Sequence, residues 1–499
     1  MNEINNELNM LHCLIGHLES LTNKGDIVSA SNMRDFAESS VAVKRNVEGV
    51  ARRCNVRYAS DSYYFFTGEI YEKISVTLLD KAVEEWLFAC GVSSKVMHYS
   101  TKKFQEAARK VILLENKLVP RFHVKAFRNG VVDFTDGVLH PFSPEHHVIF
   151  RHPYDYDPKA KCPMWNSFLK TVLPEKESRL ILQMYLGLCT YDRGTMVDKV
   201  ENCLMLCGMG SNGKSVIHET IVGIFGRENV STLGLLSLIK GGDEKLRNIA
   251  QLDGKIVNMC PEVQAKDITG YEDAFKALCS GEPQYGRNIG GKIFKIYNVP
   301  WMIFNMNNLP KASDSSYGYF RRFLYVMFQQ VIPEEMQNKH LVHDLKEEYP
   351  GILNWIVRGA KYLKQRKFMF PKSDNSERQK YVVMGENNVT LSWVFARELR
   401  FCKNGLNDTY ELIPSKVMYE DMCKYAEKNG FNPVTEQMFG RNLLKLGLRR
   451  KRTSGCTYYE VYGMTEDYLK RTEPPYVADI KFRKDESDKD VDYDNDDIN

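Results

Sequence analysis

The sequence predicts an α/β phosphate-loop (P-loop) core, preceded by a mainly helical N-terminal region and followed by a C-terminal winged-helix domain. Three observations predict it. Residues 204–216 read LMLCGMGSNGKSV, an apolar run that breaks into glycines, a lysine and a serine before apolar residues resume. Residues 211–367 alternate short apolar runs with helix-period segments, the pattern of a parallel sheet with crossover helices. Near the C-terminus, two helix-period segments lead into LRRKRTSGCTYYEVYG, a basic hairpin turning on a glycine.

The first stretch fills every fixed position of the pattern G-x-x-x-x-G-K-[ST], with Gly208, Gly213, Lys214 and Ser215. Glycines let consecutive backbone N–H groups curl around a phosphate, and a lysine there reaches the β and γ oxygens. The Ser215 hydroxyl is placed to ligate Mg2+, and the helix starting at Val216 points its positive end at the anion. The expected nucleotide-binding set is therefore Gly208, Met209, Gly210, Ser211, Asn212, Gly213, Lys214, Ser215 and Val216. CLMLCG reads as a buried strand and SVIHETIVGIFG as an amphipathic helix ending at Gly226. The plainer alternative is a glycine-rich strand-to-helix turn without a ligand.

A chain of 499 residues has room for two or three domains, and 43% hydrophobic with 26% charged residues is ordinary for a soluble protein. The opening MNEINNELNM has neither the basic nor the apolar region of a signal peptide, and no apolar run is long enough to span a bilayer. The cysteines are scattered without a C-x-x-C pair, which points to a reducing, cytoplasmic compartment rather than zinc or disulfides. His140, His146, His147 and His152 cluster in sequence without acidic or thiol partners at ligand spacing, so a solvated loop is expected there. Residues 485–499 carry eight acids against one lysine, so a net +4 chain with a −7 tail leaves +11 on the remainder. Such a tail reads as disordered, and the basic body suggests a polyanionic partner.

Residues 1–126 read as mainly helical, with a hairpin around Thr67-Gly68-Glu69. Residues 127–195 contain two short strands with glycine turns and then a helical stretch. Residues 196–370 form the phosphate-loop domain, and a polar, proline-marked linker is expected near 371–377. The winged-helix unit spans 380–470, and the acidic tail occupies 480–499.

Further landmarks follow the phosphate loop in order. QLDGKIVNMCPEV (251–263) is an apolar strand ending in Glu262, an acid suited to orienting Mg2+, to polarising an attacking water, or to both. VPWMIFNMNNLP (299–310) is a second apolar strand closed by Asn307 and Asn308, amides suited to a γ-phosphate or a water, or to plain turn chemistry. YGYFRRFLYVMF places Arg321 and Arg322 before a third strand, where a guanidinium at a subunit edge would serve as an arginine finger.

Taken in order, GMGSNGKS, LDGKIVNMCPE, FKALCSGEPQYGRNIGGKIFKI, FNMNNLP and YFRRFLYVMF closely resemble superfamily 3 helicases, most of all the phage/plasmid and poxvirus-type primase–helicase branch. NGVVDFTDGVLHPFSPEH and the segments leading to MYLGLC are similar to the region preceding the motor in that branch. The resemblance runs from about 127 to 328 and more loosely to the C-terminus. It implies an AAA+-like ATPase that uses ATP and Mg2+, assembles as a homo-hexameric ring, and unwinds DNA during replication of a mobile element, typically 3′ to 5′. It makes Lys214 and Ser215 the Walker A lysine and metal-ligating hydroxyl, Glu262 the Walker B acid, and Asn307 the sensor. One of Arg321 and Arg322 becomes the finger. Residues 281–295 become the pore hairpin, with Arg287 and Lys292 flanking its tip on single-stranded or forked DNA.

The C-terminal order of helix, turn, second helix and hairpin resembles a winged helix, with 435–445 as its recognition helix and Thr435 as the cap. Arg441 on that helix, and Arg449, Arg450, Lys451 and Arg452 entering the wing, are the candidate DNA contacts; contact with protein is the alternative. Residues 1–120 show no D-x-D pair, so primer synthesis is expected from a separate primase. The function that the sequence points to is an ATP-dependent replicative DNA helicase. Its rivals are a DNA loader or packaging motor, and an origin-binding winged-helix protein with a weak ATPase.

Overall fold

The computed structural model describes residues 2–480 apart from 60, 61, 120, 122, 134–136, 195, 209, 211, 262–266, 307–311, 313–316, 401–408, 454 and 463, and apart from the side chains of 2–5, 317 and 336. The acidic tail expected beyond 480 lies outside the described residues. The chain divides into two units, Met1–Asp157 and Pro158–Asn499, so the division falls inside the 127–195 region marked out from sequence. Among the described residues no helix is long and apolar enough to cross a membrane.

The first unit opens with helices α1 (Asn2–Ser20), α2 (Lys24–Ser31) and α3 (Phe36–Arg53). Asp35 starts α3 by accepting from the N–H groups of Ala37 (2.6 Å) and Glu38 (3.4 Å). Val43, Val47 and Val50 then bury one stripe of that helix at helical spacing. Strands β1 (Val56–Ala59), β2 (Ser62–Phe66) and β3 (Tyr71–Ile74) form an antiparallel meander. The hairpin expected around Thr67-Gly68-Glu69 is β2–β3, and β1 adds a strand that sequence had folded into the same run. Helices α4 (Val76–Ala89) and α5 (Ser94–Glu115), capped by Ser75 and Ser93, close the core around Leu14, Val47, Trp86 and Phe104. A second small sheet joins β4 (Val124–Phe127), β5 (Gly130–Asp133) and β6 (Val138–His140). Here the expectation of a solvated histidine loop fails for His152, which is buried and stacked on Phe127 at 4.9 Å.

In the second unit, α6 (Pro163–Val172) and α7 (Lys176–Leu188) precede β7 (Cys203–Cys207), α8 (Lys214–Phe225), β8 (Val230–Ser231), α9 (Leu235–Ile239), α10 (Asp243–Ala250) and β9 (Val257–Cys260). Next come α11 (Glu272–Ser280), the hairpin β10 (Gln284–Arg287) and β11 (Ile293–Ile296), then β12 (Trp301–Met306), α12 (Tyr317–Phe320) and β13 (Phe323–Met327). Five strands make a wholly parallel sheet in the order β13-β7-β12-β9-β8. Its strands are buried on both faces, which is why they read as unbroken apolar runs rather than alternating ones.

After α13 (Leu341–Asp344), helix α14 (Tyr349–Gln365) crosses α7 so closely that a Cβ on Gly359 would lie 2.6 Å from the Gln183 carbonyl carbon. The linker expected near 371–377 is instead part of the packed body, running into α15 (Asp374–Asn387). Ser373 is fully buried and bonds Glu175 at 2.6 Å, and the Ser376 hydroxyl accepts from the Tyr325 N–H of β13 at 3.2 Å. The polar residues that suggested a linker are buried because distant partners satisfy them. The chain ends with α16 (Val389–Ala396), β14 (Tyr410–Pro414), α17 (Ser415–Lys428), α18 (Glu436–Lys445), β15 (Arg450–Thr453), β16 (Cys456–Tyr462) and α19 (Glu466–Arg471). Strands order as β14-β16-β15 in an antiparallel sheet, and the Thr435 side chain caps α18 by accepting from Met438 N–H.

Candidate nucleotide-binding site

Because all strands of the central sheet run parallel, the C-terminal ends of β7, β9, β12 and β13 share one edge. The glycine-rich loop at 208–215 leaves that edge from Cys207. Gly208 N–H donates to the Met306 carbonyl at 3.2 Å and Phe328 N–H to the Cys207 carbonyl at 2.7 Å, pinning the loop between β12 and β13. A Cβ on Gly208 would lie 2.6 Å from the Phe328 carbonyl oxygen. Gly213 combines φ of +85° with α6 side chains at its back, where a Cβ would sit 2.9 Å from Phe168 and Val172. Only glycine fits either place.

Lys214 is the first residue of α8 and is buried; its ammonium donates to the Gly208 carbonyl. No side chain caps α8, so its first-turn N–H groups face the loop as an anion site would require. Ser215 follows, exposed. Burial pushes the neighbouring Cys207 thiol up to about 12, which keeps it uncharged beside the lysine.

A cavity of about 700 Å³ opens over this loop, a volume that suits a nucleotide. Gly210, Asn212, Gly213, Lys214, Ser215 and Val216 form its floor, with Pro261 after β9 and Asn305 and Met306 of β12 beside them. Met164, Phe168 and Thr171 of α6 make one wall, and Ile332, Gln337, Asn338, Lys339 and Leu341 the other. The start of α6 is fixed by Glu348, just before α14, whose carboxylate accepts from Met164 and Trp165 N–H at 2.9 Å each.

Asn305 was not singled out from sequence. It is 2% exposed, and among the described residues its Oδ1 accepts no hydrogen bond. A lone amide inside the apolar run WMIFNM was the available signal. A buried acceptor without a donor costs about 1–3 kcal/mol, so its place at a cavity wall fits a site completed by a group that donates, such as a water or a ligand hydroxyl or amine.

The structure gathers Gly208, Gly210, Asn212, Gly213, Lys214, Ser215 and Val216 in one loop and helix start. Met209, Ser211, Glu262 and Asn307 lie outside the described residues. Of the last two, one follows β9 by two residues and the other directly follows β12, strands that end on the phosphate-loop edge.

Arg321 and Arg322 are not brought to that edge. They precede β13, whose five residues separate them from it by roughly 16 Å at the usual strand rise. The two arginines also differ from each other. Arg322 is 12% exposed, pairs with Glu201 at 3.5 Å, and donates to the Gly318 carbonyl. Arg321 is 51% exposed and bonds the other Glu201 oxygen at 2.6 Å. Lys199, with Arg322 and Ser280, holds the Glu201 carboxyl below the usual carboxylate range.

The remaining candidates sit elsewhere. Arg287 on β10 pairs with Asp243 at 2.5 Å, while Lys292 is exposed at the hairpin tip. Arg441 is exposed on α18, and Arg449, Arg450, Lys451 and Arg452 are exposed on and just before the edge strand β15.

Comparison with known proteins gives two family matches. Residues 52–174 match a model described as D5 N terminal like, and residues 206–322 match a family of unknown function, DUF5906. Among solved structures, an A-form apo structure of the NrS-1 C-terminal region aligns over 80% of this chain and 93% of its own, at 13% identity and a TM-score of 0.39. A second apo structure of that region, residues 305–718, aligns over 82% and 96% at 12% identity and a TM-score of 0.40. Backbone agreement at that level does not by itself define a common fold. What the comparisons give is a chain similar to the D5 N-terminal type across residues 52–174 and similar to DUF5906 across residues 206–322.

Proposed function

We propose that the chain is an ATP-dependent replicative DNA helicase, a ring-forming motor that moves on single-stranded DNA. The observation that carries this reading is the phosphate loop at the C-terminal edge of the parallel sheet, with buried Lys214 beneath a nucleotide-sized cavity. Ligands of open α/β sheets bind at that edge. The loop N–H groups and Lys214 would hold the β and γ phosphates, and the Ser215 hydroxyl would hold Mg2+, which supplies charge neutralisation between those phosphates. Glu262 orients the metal or the attacking water, and Asn307 senses the γ-phosphate.

The arginine finger comes from a neighbouring subunit, which accounts for its distance from the loop of its own chain. Both arginines pair with Glu201, and Arg321 is the better finger because it is 51% exposed where Arg322 is 12% exposed. Lys292 on the hairpin, and Arg441, Arg449, Arg450, Lys451 and Arg452 in the C-terminal winged helix, provide cations for DNA phosphates, and Arg287 would join them only by leaving Asp243. The match of residues 52–174 to the D5 N terminal type supports a role in replication of a phage or related element. A separate primase would supply primers.

The test is ATP-dependent unwinding of forked duplexes with 3′ or 5′ single-stranded tails, wild type against Lys214→Ala. Loss of a group that stabilises charge developing between phosphates costs at least about 10²-fold in turnover. Unwinding and phosphate release should both collapse while thermal unfolding stays unchanged. Turnover within a few-fold of wild type would remove the reading, and hydrolysis without strand separation would make the protein a loader or packaging motor.

A further inference from the structure

We propose that the outward face of the β10–β11 hairpin grips single-stranded nucleic acid by stacking on its unpaired bases, with Tyr285 and Tyr297 as the stacking rings and Lys295 between them. The inference rests on the DNA-motor reading and deepens it, because it assigns the grip to base faces as well as to phosphates.

The register sets the geometry. Tyr285 stands opposite Lys295 and Arg287 opposite Ile293, and directly opposed residues of an antiparallel pair share one face. Gly286 and Phe294 share the other face. That second face is closed by α10, since a Cβ on Gly286 would lie 2.8 Å from the Ala250 Cα. The hairpin thus has one face welded to a helix and one turned outward.

The outward face carries unusual groups for open solvent. Tyr285 is 56% and Tyr297 67% exposed, with Ile293 and the tip residue Ile289 exposed beside them. Lys295 Nζ lies 5.9 Å from the Tyr285 ring centroid and 5.0 Å from that of Tyr297, so one cation lies within reach of both rings. Arg287, on the same face, is engaged by Asp243 of α10. The cations presented to a strand are then Lys295 beside the rings and Lys292 at the hairpin tip. Two aromatic faces spaced about a lysine suit a strand with bases to stack and phosphates to neutralise. Duplex DNA offers no base faces, so the ligand is a single strand. Stacking tolerates any base, as a moving motor requires.

The experiment titrates the full-length protein into an oligothymidylate carrying one 2-aminopurine, at several salt concentrations. Tyr285→Ala and Tyr297→Ala should each weaken binding about fivefold or more and reduce the fluorescence change, without altering the salt slope. Tyr285→Phe and Tyr297→Phe should bind as wild type does. Lys292→Ala should do the opposite, lowering the slope by about 0.7 because one phosphate is no longer neutralised. Unchanged thermal unfolding of the alanine variants checks that they are folded.

If the alanine variants bind like wild type while Lys292→Ala is weakened, the DNA reading holds and stacking is wrong. If they bind normally but sediment as smaller assemblies, the face joins subunits and the inference is overturned. If the wild-type chain binds no single strands at all, both readings fall together.

Discussion

Two buried polar clusters in the second unit use similar groups and end in opposite states. In the C-terminal part, Asp421 is 4% exposed and accepts from Trp393 Nε1 at 2.7 Å and from Arg397 Nε at 2.9 Å and Nη2 at 2.5 Å. Arg397 also donates to the Thr472 carbonyl and hydroxyl at 3.1 Å each. Beside the glycine-rich loop, Asn305 is buried as deeply, yet among the described residues its Oδ1 accepts nothing. The first cluster is complete without a ligand, so it stabilises and specifies the fold. The second is incomplete, and it faces a cavity. Where burial and satisfaction part company, the deficit points toward what the site binds.

The largest effect expected from this contrast is at Asp421. Asp421→Ala strands a buried guanidinium and should cost about 3–5 kcal/mol in urea unfolding, whereas Asp421→Leu combined with Arg397→Met should recover most of it. A loss below about 1 kcal/mol for the single change would mean that the cluster is open to water and the contrast is false.

A smaller effect of opposite sign is expected at Asn305. Asn305→Leu removes an unsatisfied acceptor, so the ligand-free protein should gain stability by up to about 1–3 kcal/mol while ATP turnover falls. Measured together, denaturant midpoint and phosphate release separate a ligand-facing amide from a structural one. Lower stability with normal turnover would show that Asn305 serves the fold.

The same contrast explains what could be read from sequence. The glycine spacing of the loop at 208–215 was legible because it is a short local pattern and Gly213 answers a local demand, a positive φ; the carbonyl that leaves no room for a Cβ on Gly208 belongs to distant Phe328 and was not legible. The hairpin at 284–296 and the Thr435 cap were legible for the same reason, since turn and cap chemistry act within a few residues. What failed depended on distant partners. Ser373 and Ser376 looked like linker because Glu175 and Tyr325 N–H, which satisfy them, lie far away in sequence. Arg321 and Arg322 were indistinguishable until Glu201 showed one largely buried and the other exposed. Asn305 left only a weak signal, a lone amide in an apolar run, because its significance is a missing bond.

A pH-dependent effect, absent near neutral pH, tests the limit of that rule. His152 in the first unit also has an orphaned buried atom, Nδ1, yet it is packed among rings rather than set at a polar ligand: Phe127 stacks on it at 4.9 Å, with Phe150 at 5.2 Å and Tyr154 at 5.5 Å. Burial, with Lys125 nearby, pushes its pKa down from 6.5 to about 3. The folded protein therefore keeps this ring neutral while the unfolded chain protonates it between those two values. More protons bound in the unfolded state means that stability falls as pH falls, by about 1.4 kcal/mol per unit through the window from 6.5 toward 3. Above 6.5 the ring is neutral in both states and contributes no slope. His152→Phe keeps a ring that stacks on Phe127 and removes the proton, so it should flatten the pH dependence of unfolding by that amount per unit between about pH 6 and 4 and leave stability at pH 8 within about 1.5 kcal/mol of wild type. Parallel curves for the two proteins across this range would mean that His152 reaches a proton source in the folded state, and its orphaned nitrogen would then belong with Asn305 rather than with the core.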